Sequence, residues 1–412
     1  KKESQTKEKD VVNMNRKKKY RSFVLLCLIL DLLAIVFLGY RYLDRKIPDE
    51  IHVDRSLGLD LSQLSQMPFV SFEDAITVSG EGTYQLPCKL FGKIPFKEIK
   101  VTPCETDSLL VSGSTVGIYM ETAGVLVIDT GEIRCQNGEI KEPAQNILKP
   151  GDYIISFNQQ KISCKQDLIE NLENINSEAV TLLIKREDKA IPVSLSPVQD
   201  SSGKYKLGIW VRDDTQGIGT LTYVTQSGKF GALGHGISDV DTGDLLSIKG
   251  GNLYCAQILG VQKGEKGIPG ELSGLIRYRN DNVIGTINEN SKNGIYGKYT
   301  ENSTDSVFLK QMPVGYKQDL KIGPASVLCN VGDGVKEYEA EITRIDMNHE
   351  DNNKSFVIHI TDPELLDVTG GIVQGMSGSP VLQNGKVVGA VTHVFVQDAT
   401  SGYGIFIENM LN

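Results

Sequence analysis

The stretch that decides the fold is Gly370–Val394, "GGIVQGMSGSPVLQNGKVVGAVTHV". Two serines stand among glycines closed by Pro380, and the chain then enters two apolar runs separated by Asn384-Gly385. An Asn-Gly pair between apolar runs predicts a tight β-hairpin, because both residues accept the positive φ of a turn whose twist suits the flanking strands. The glycine-rich bend before it has a chemical use. A serine nucleophile needs a base to take its proton and N–H donors aimed at the oxygen that turns negative on the attacked carbonyl. In "GMSGSP", Gly375 can let its own N–H and that of Ser377 point at one oxygen, while Gly378 leaves the Ser377 hydroxyl uncrowded. A Gly/Ser-rich loop is more often only a turn, so a base must be found.

The chain has five histidines, which makes the search short. His52 falls in a polar segment, His349 in the loop "DMNHEDNN", and His359 in "SFVIHITD", an ordinary sheet position. His235, in "KFGALGHGISD", stands between Gly234 and Gly236 at the end of an apolar strand and precedes Ser377 by 142 residues. Glycine on both sides suits a close approach to the backbone, so His235 is the expected base. From residue 205 to 412 the chain reads as short strands with turn signals and few helical patterns, an all-β domain.

The first half has a different character. Residues 1–22 carry nine Lys/Arg against three Asp/Glu, in a chain of net charge −9. They lead into "FVLLCLILDLLAIVFLGY", Phe23–Tyr40, where Asp31 is the one charge. Eighteen helical residues span about 27 Å, close to the hydrocarbon thickness of a bilayer. "FLGYRYLD" offers no small-residue cleavage site, so an uncleaved anchor is expected, with its basic amino end cytoplasmic and the chain from about residue 47 outside. Met14 is a candidate native start. Residues 41–72 read as a polar tether and 73–105 as a small β segment. The seven cysteines are scattered without a CxxC pair, and neither a metal site, a cofactor site nor a nucleic-acid partner is signalled.

From 106 to 198 the pattern is strands, one helix and a closing hairpin. Ser163 and Gln166 have capping-box spacing, and Leu168, Leu172 and Ile175 form the apolar stripe of that helix. The stretch "LKPGDYIISFNQQKI" resembles the turn-strand-turn of PDZ domains. In that resemblance the carboxylate-binding loop is Thr115, Val116, Gly117 and Ile118 in "STVGIYM", where an extended peptide would add beside a strand.

The order G-x-S-G-x-P resembles the nucleophile loop of chymotrypsin-like serine peptidases, with Ser377 attacking and Ser379 in the place of a second glycine. The strand after that loop lines the specificity pocket in such folds, which places His393 there as a candidate reader of the substrate side chain. The whole set of basic tail, anchor, PDZ-like segment, "LGHGISD" and "GGIVQGMSGSP" resembles the stage IV sporulation protein B peptidases, PDZ-bearing serine peptidases of endospore-forming bacteria. The resemblance implies a mainly β protein: a transmembrane helix, a PDZ domain and a chymotrypsin-like peptidase domain. It also implies nucleophile Ser377, base His235, and Asp362 in "HITDPEL" as the supporting carboxylate. Asp362 stands only 15 residues before Ser377. Asp239, Asp241, Asp281 and Asp305 are alternatives on spacing, and a backbone carbonyl could serve instead. By the same resemblance the enzyme would cut a regulatory membrane protein between forespore and mother-cell membranes, starting intramembrane processing of a sigma-factor precursor, and would free itself by cutting its own tether. Two other classes compete: a non-catalytic PDZ adaptor, and an envelope quality-control protease, which usually carries its PDZ domain after the peptidase.

Overall fold

The computed structural model describes residues 2–54, 69–72, 84–104, 108–175, 179–300, 307–349 and 351–411. Helix α1, Lys2–Lys46, contains a 28-residue stretch, Lys19–Lys46, long and apolar enough to cross a membrane. A small sheet follows, in the order β1 (Glu50–Asp54), β4 (Ile94–Cys104), β3 (Tyr84–Leu90), β2 (Val70–Phe72). The expected tether is therefore partly ordered: β1 pairs in parallel with β4, and Ile47 and Ile51 are buried. The middle of the tether, residues 73–83 and Asp305 lie outside the described residues.

Next come β5 (Ser108–Val111) and the long β6 (Thr115–Thr130). An inserted unit holds β7 (Tyr153–Phe157), α2 (Lys165–Glu173), β8 (Val180–Arg186) and β9 (Lys189–Leu195). The chain then re-enters through the equally long β10 (Ile209–Val224). The strands β11 (Lys229–Ala232), β12 (Ile248–Gln262), β13 (Glu271–Ile276), β14 (Val283–Ser291) and β15 (Gly294–Tyr299) follow. Pairings β6–β10, β10–β11, β11–β15, β15–β14, β14–β12 and β12–β6 close a ring of six strands. A second closed barrel is built from β16 (Gly323–Asn330), β17 (Val335–Ile345), β18 (Phe356–Ile360), β19 (Pro380–Gln383), β20 (Lys386–Phe395) and β21 (Asp398–Phe406). Numbered within each barrel, both rings run 1-2-3-6-5-4. This repeated order is the double barrel expected from the nucleophile loop.

Alternation makes these strands. Along β17, Tyr338, Ala340 and Ile342 are buried while Glu337, Glu339 and Glu341 face solvent. Each buried apolar side chain of the larger kind contributes about 1.5–3 kcal/mol. Val116, Ile118, Leu221, Phe230 and Leu253 fill the first barrel. Ile358, Val381, Val391 and Phe406 are among those that fill the second. Asn384 and Gly385 turn the hairpin with φ of 53° and 77°, as read from the sequence.

Two readings of the first half are corrected. The break between PDZ-like segment and peptidase does not lie at 198–205, because the first half of β6 is a barrel strand and only residues from about 123 to 211 form the insert, whose core includes Val125, Ile154, Leu168, Leu182 and Leu207. The α2 cap also lies one residue later than expected. Cys164 is the N-cap residue, and the Asp167 carboxylate accepts the N–H of Ser163 at 2.8 Å and that of Cys164 at 3.3 Å, while Gln166 donates to Glu170.

Candidate active site at the barrel seam

The nucleophile loop leaves the second barrel between α3 (Pro363–Thr369) and β19 and is stitched to the first barrel. Thr220 donates its N–H to the Ser377 carbonyl at 2.9 Å and its hydroxyl to the Gly375 carbonyl at 2.9 Å. The Thr222 hydroxyl donates to the Gly378 carbonyl at 2.7 Å. Gly378 explains why the motif needs glycine there: its φ is +93°, and a Cβ would lie 2.3 Å from the Thr220 oxygen and 2.5 Å from the Leu233 nitrogen. On the far side its N–H donates to the Val391 carbonyl at 2.8 Å.

That close approach brings two distant segments to one place. Leu233 is followed at once by Gly234, which packs on Thr392, and by His235. Ser377 donates its hydroxyl to the Thr392 carbonyl at 2.8 Å, and the His235 ring stands 4.9 Å from the ring of His393, the residue after Thr392. Ser377, His235 and His393 thus gather at the seam. No hydrogen bond joins Ser377 to His235 among the described residues. The Ser377 hydroxyl is held by the Thr392 carbonyl instead, and catalytic hydrogen bonds are often unmade in ligand-free structures.

The backbone of the loop leaves two amides free. Met376, Gly378 and Ser379 all donate their N–H groups within the fold. The N–H groups of Gly375 and Ser377 donate to nothing among the described residues. Gly375 sits at φ +98°, a conformation that frees its amide from the local turn. Beside it opens a cleft of about 460 Å³ bordered by Gly217, Glu271, Leu272, Ile276, Tyr278 and Gln374. Ser379, by contrast, is fully buried.

His235 carries its own orienting group. Its Nδ1 lies 2.9 Å from the Gly236 carbonyl, which can only accept, so Nδ1 bears the proton and Nε2 is left with the lone pair that a base requires. Burial lowers its pKa and the Gly236 carbonyl partly offsets this, so the ring is neutral at pH 7. The pKa of His393 is also lowered, by desolvation first and then by His235, although the residue as a whole is exposed.

Asp362 is not brought to His235. Its carboxylate caps α3, accepting from Glu364 at 2.9 Å and Leu365 at 3.1 Å, and takes the Glu339 N–H at 3.2 Å. The alternatives are occupied too: Asp239 and Asp241 pair with Arg212, and Asp281 with Arg279. The end of β14 approaches Gly236 through the Ser291 carbonyl. No carboxylate bonds to either nitrogen of His235 among the described residues. His359 bonds Ser401 within the sheet, in keeping with a structural role. His52 is not in a free tether but on β1, stacked 5.3 Å from Tyr316.

Thr115–Ile118 are likewise misplaced as a peptide-binding loop. They form a barrel strand paired on one edge with Gly217–Thr220 and on the other with Leu253–Cys255, so their backbone groups already have partners on both sides. The insert presents a groove elsewhere, between α2 and the start of β10, with a volume of about 980 Å³ and walls that include Leu168, Ile169, Leu172, Leu207 and Ile209. There β10 pairs only with β6, leaving its other edge toward α2. The signal was present as "KLGIWV", Lys206–Val211, the same apolar-Gly-apolar pattern as "TVGI".

No curated protein matches the chain. Among solved structures, the inactive form of Rv3671c protease is similar at 15% identity over 47% of this chain and 82% of that one, with a TM-score of 0.24. An HtrA-type protease, AlgW with a decapeptide, is similar at 10% identity over 73% of this chain and 61% of that one, with a TM-score of 0.29. The profile of the SpoIVB peptidase S55 family matches residues 203–411, which takes in His235, Ser377 and the whole second barrel, and the chain therefore belongs to the SpoIVB peptidase family.

Proposed function

We propose that the chain is a membrane-anchored serine endopeptidase in which Ser377 attacks, His235 Nε2 takes its proton, and the N–H groups of Gly375 and Ser377 receive the oxyanion. The observation that carries this reading is the pair of unpartnered amides flanking Met376, at the one place where the serine loop of the second barrel meets the histidine turn of the first. Substrate binding would rotate Ser377 off Thr392 toward His235. The Gly236 carbonyl would hold the imidazolium that forms, in the position where related enzymes use a carboxylate. The leaving amine would then take the proton from Nε2. His393, beside His235, would meet the substrate side chain next to the cleaved bond. The groove between α2 and β10 would capture an extended peptide, and α1 would hold the enzyme outside the cytoplasmic face. The substrate is a regulatory protein of an intramembrane protease in the sporulation pathway, and the chain itself is a second substrate, cut within 41–72.

Labelling by a fluorophosphonate tests the chemistry. The folded chain should label, Ser377→Ala should not, and Ser379→Ala should retain labelling if it folds. The non-catalytic adaptor is favoured by one observation, the Ser377 hydroxyl resting on Thr392 away from His235. A folded chain that neither labels nor cuts itself would decide for that reading.

A further inference from the structure

The small N-terminal sheet carries an exposed aromatic tip. Phe91 and Phe69 lie at two turns, with φ of 54° and 72°, and their rings are 4.9 Å apart. The Phe91 N–H donates to the Phe69 carbonyl at 2.7 Å, which fixes one turn on the other. Phe69 is 66% exposed, Phe91 64% and Ile94 56%, with Lys93 between the last two. Fixing two phenylalanines side by side in water has no benefit for the sheet, whose core is Leu86, Ile99 and Val101 on the inner face.

The register of β4 against α1 says what faces this tip. Lys100 is level with Glu50, Lys97 Nζ reaches the Ile47 carbonyl at 3.1 Å and Asp44 at 2.9 Å, and the Phe96 ring meets Tyr40 at 5.4 Å. Moving back along β4 thus moves back along α1, toward its apolar stretch. Ile94 lies two residues beyond Phe96, about 7 Å at roughly 3.3 Å per residue. That rise equals about five residues of helix. The tip is therefore level with Ile35–Tyr40, the outer end of the span.

We propose that Phe69, Phe91, Lys93 and Ile94 form a second membrane contact, set in the headgroup layer of the same bilayer that α1 crosses. This rests on the reading of α1 as an anchor. Apolar rings at the acyl boundary with Lys93 among them and Arg41 next to the end of the span fit an anionic lipid surface. The contact would fix the sheet and the barrels behind it at one height and tilt, where a lone helix would leave them free to swing.

The test uses the full chain reconstituted into vesicles of phosphatidylcholine and phosphatidylglycerol, with and without bromine near the glycerol end of the acyl chains. Trp210 is the one native tryptophan. In a Trp210→Phe background, Phe91→Trp should give blue-shifted emission quenched about twofold by the brominated lipid, as for a ring about 5–10 Å into the boundary. The unsubstituted chain, reporting from Trp210 in the insert, should be unquenched. Ile94→Trp in the same background is the second probe if the first does not fold. Extraction at alkaline pH reads the anchor separately. A chain that resists extraction while the introduced indoles stay unquenched overturns the tip and leaves the anchor standing. A chain that is extracted overturns the anchor reading and this proposal with it.

Discussion

The two barrels share one strand order and differ in what interrupts them. The second barrel holds the serine loop in its longest connection, between β18 and β19, whereas the first holds His235 and carries the insert of roughly 90 residues between its first and second strands. The interruption is tolerated because β6 and β10 do not stop at the barrel wall. Thr115–Glu121 pair with Asp214–Thr220 and Leu126–Thr130 with Ile209–Arg212, with a bulge at Thr122–Val125 between the two ladders, so the insert grows from the same two strands rather than from a separate linker. One strand, β10, consequently runs from the groove beside α2 to the two threonines that hold the nucleophile loop. A barrel can thus accept a second unit without a separate linker when the unit shares its strands.

The seam between the barrels should be the most sensitive point. Gly378→Val places a branched side chain where even a Cβ meets Thr220 and Leu233, and should reduce fluorophosphonate labelling by about 10³-fold or more, with a thermal shift reading the lost packing. Gly332, at φ +144° with nothing nearby, is the control: Gly332→Ala strains only its own backbone, should cost about 1–3 kcal/mol and should leave labelling intact.

The insert should fail separately from the barrels. Asp152 is fully buried and receives both Arg186 Nε at 2.7 Å and Nη2 at 2.8 Å, with the Lys149 N–H as a third donor. Asp152→Ala should destabilise the insert by about 2–3 kcal/mol, since the guanidinium it leaves is partly exposed. Hydrogen exchange should rise across Ile154–Ile184 while Val381–Phe406 keeps its protection. Exchange rising in both would mean that the two units unfold as one.

A smaller effect separates capping from catalysis at Asp362. Asp362→Ala should cost about 1 kcal/mol in stability and Asp362→Asn less, because asparagine also caps. Labelling by the Asn form should stay within about tenfold of the parent. A fall near 10⁴-fold would instead return Asp362 to the catalytic set.

The smallest effect is in pH. In the proposed mechanism neutral His235 is the active form, and burial lowers its pKa, so less acid-induced loss is expected than for a free imidazole. The acid limb of the labelling rate should lie below about 6.5, the ordinary histidine value. A limb above it would mean that a carboxylate supports the ring after all.

What the residues revealed directly was local. Asn384-Gly385, the glycine at 378 and the flanked His235 each follow from backbone demands met within a few positions. What they concealed was pairing across distance. "TVGI" and "LGIW" present the same apolar-Gly-apolar pattern, and only the partners of each strand tell a doubly paired barrel strand from a groove edge. Asp362 before Pro363 reads alike as helix cap and as triad member, because both need a carboxylate at a turn. The domain boundary was hidden for a related reason, since β6 and β10 each run as one strand through both units they serve.

The docking of β1 bears on what severing the chain would achieve. Asn348 holds the Asp44 and Ile47 carbonyls and the Asp49 N–H, Met347 donates to the Arg45 carbonyl, and β1 keeps its ladder to β4. A nick anywhere between Asp54 and Phe69 would leave these contacts whole, so the product is a two-piece molecule still attached to its stalk. Its departure from the bilayer would then be timed by the dissociation of a peptide strand, and hydrolysis would set only the starting moment of that clock.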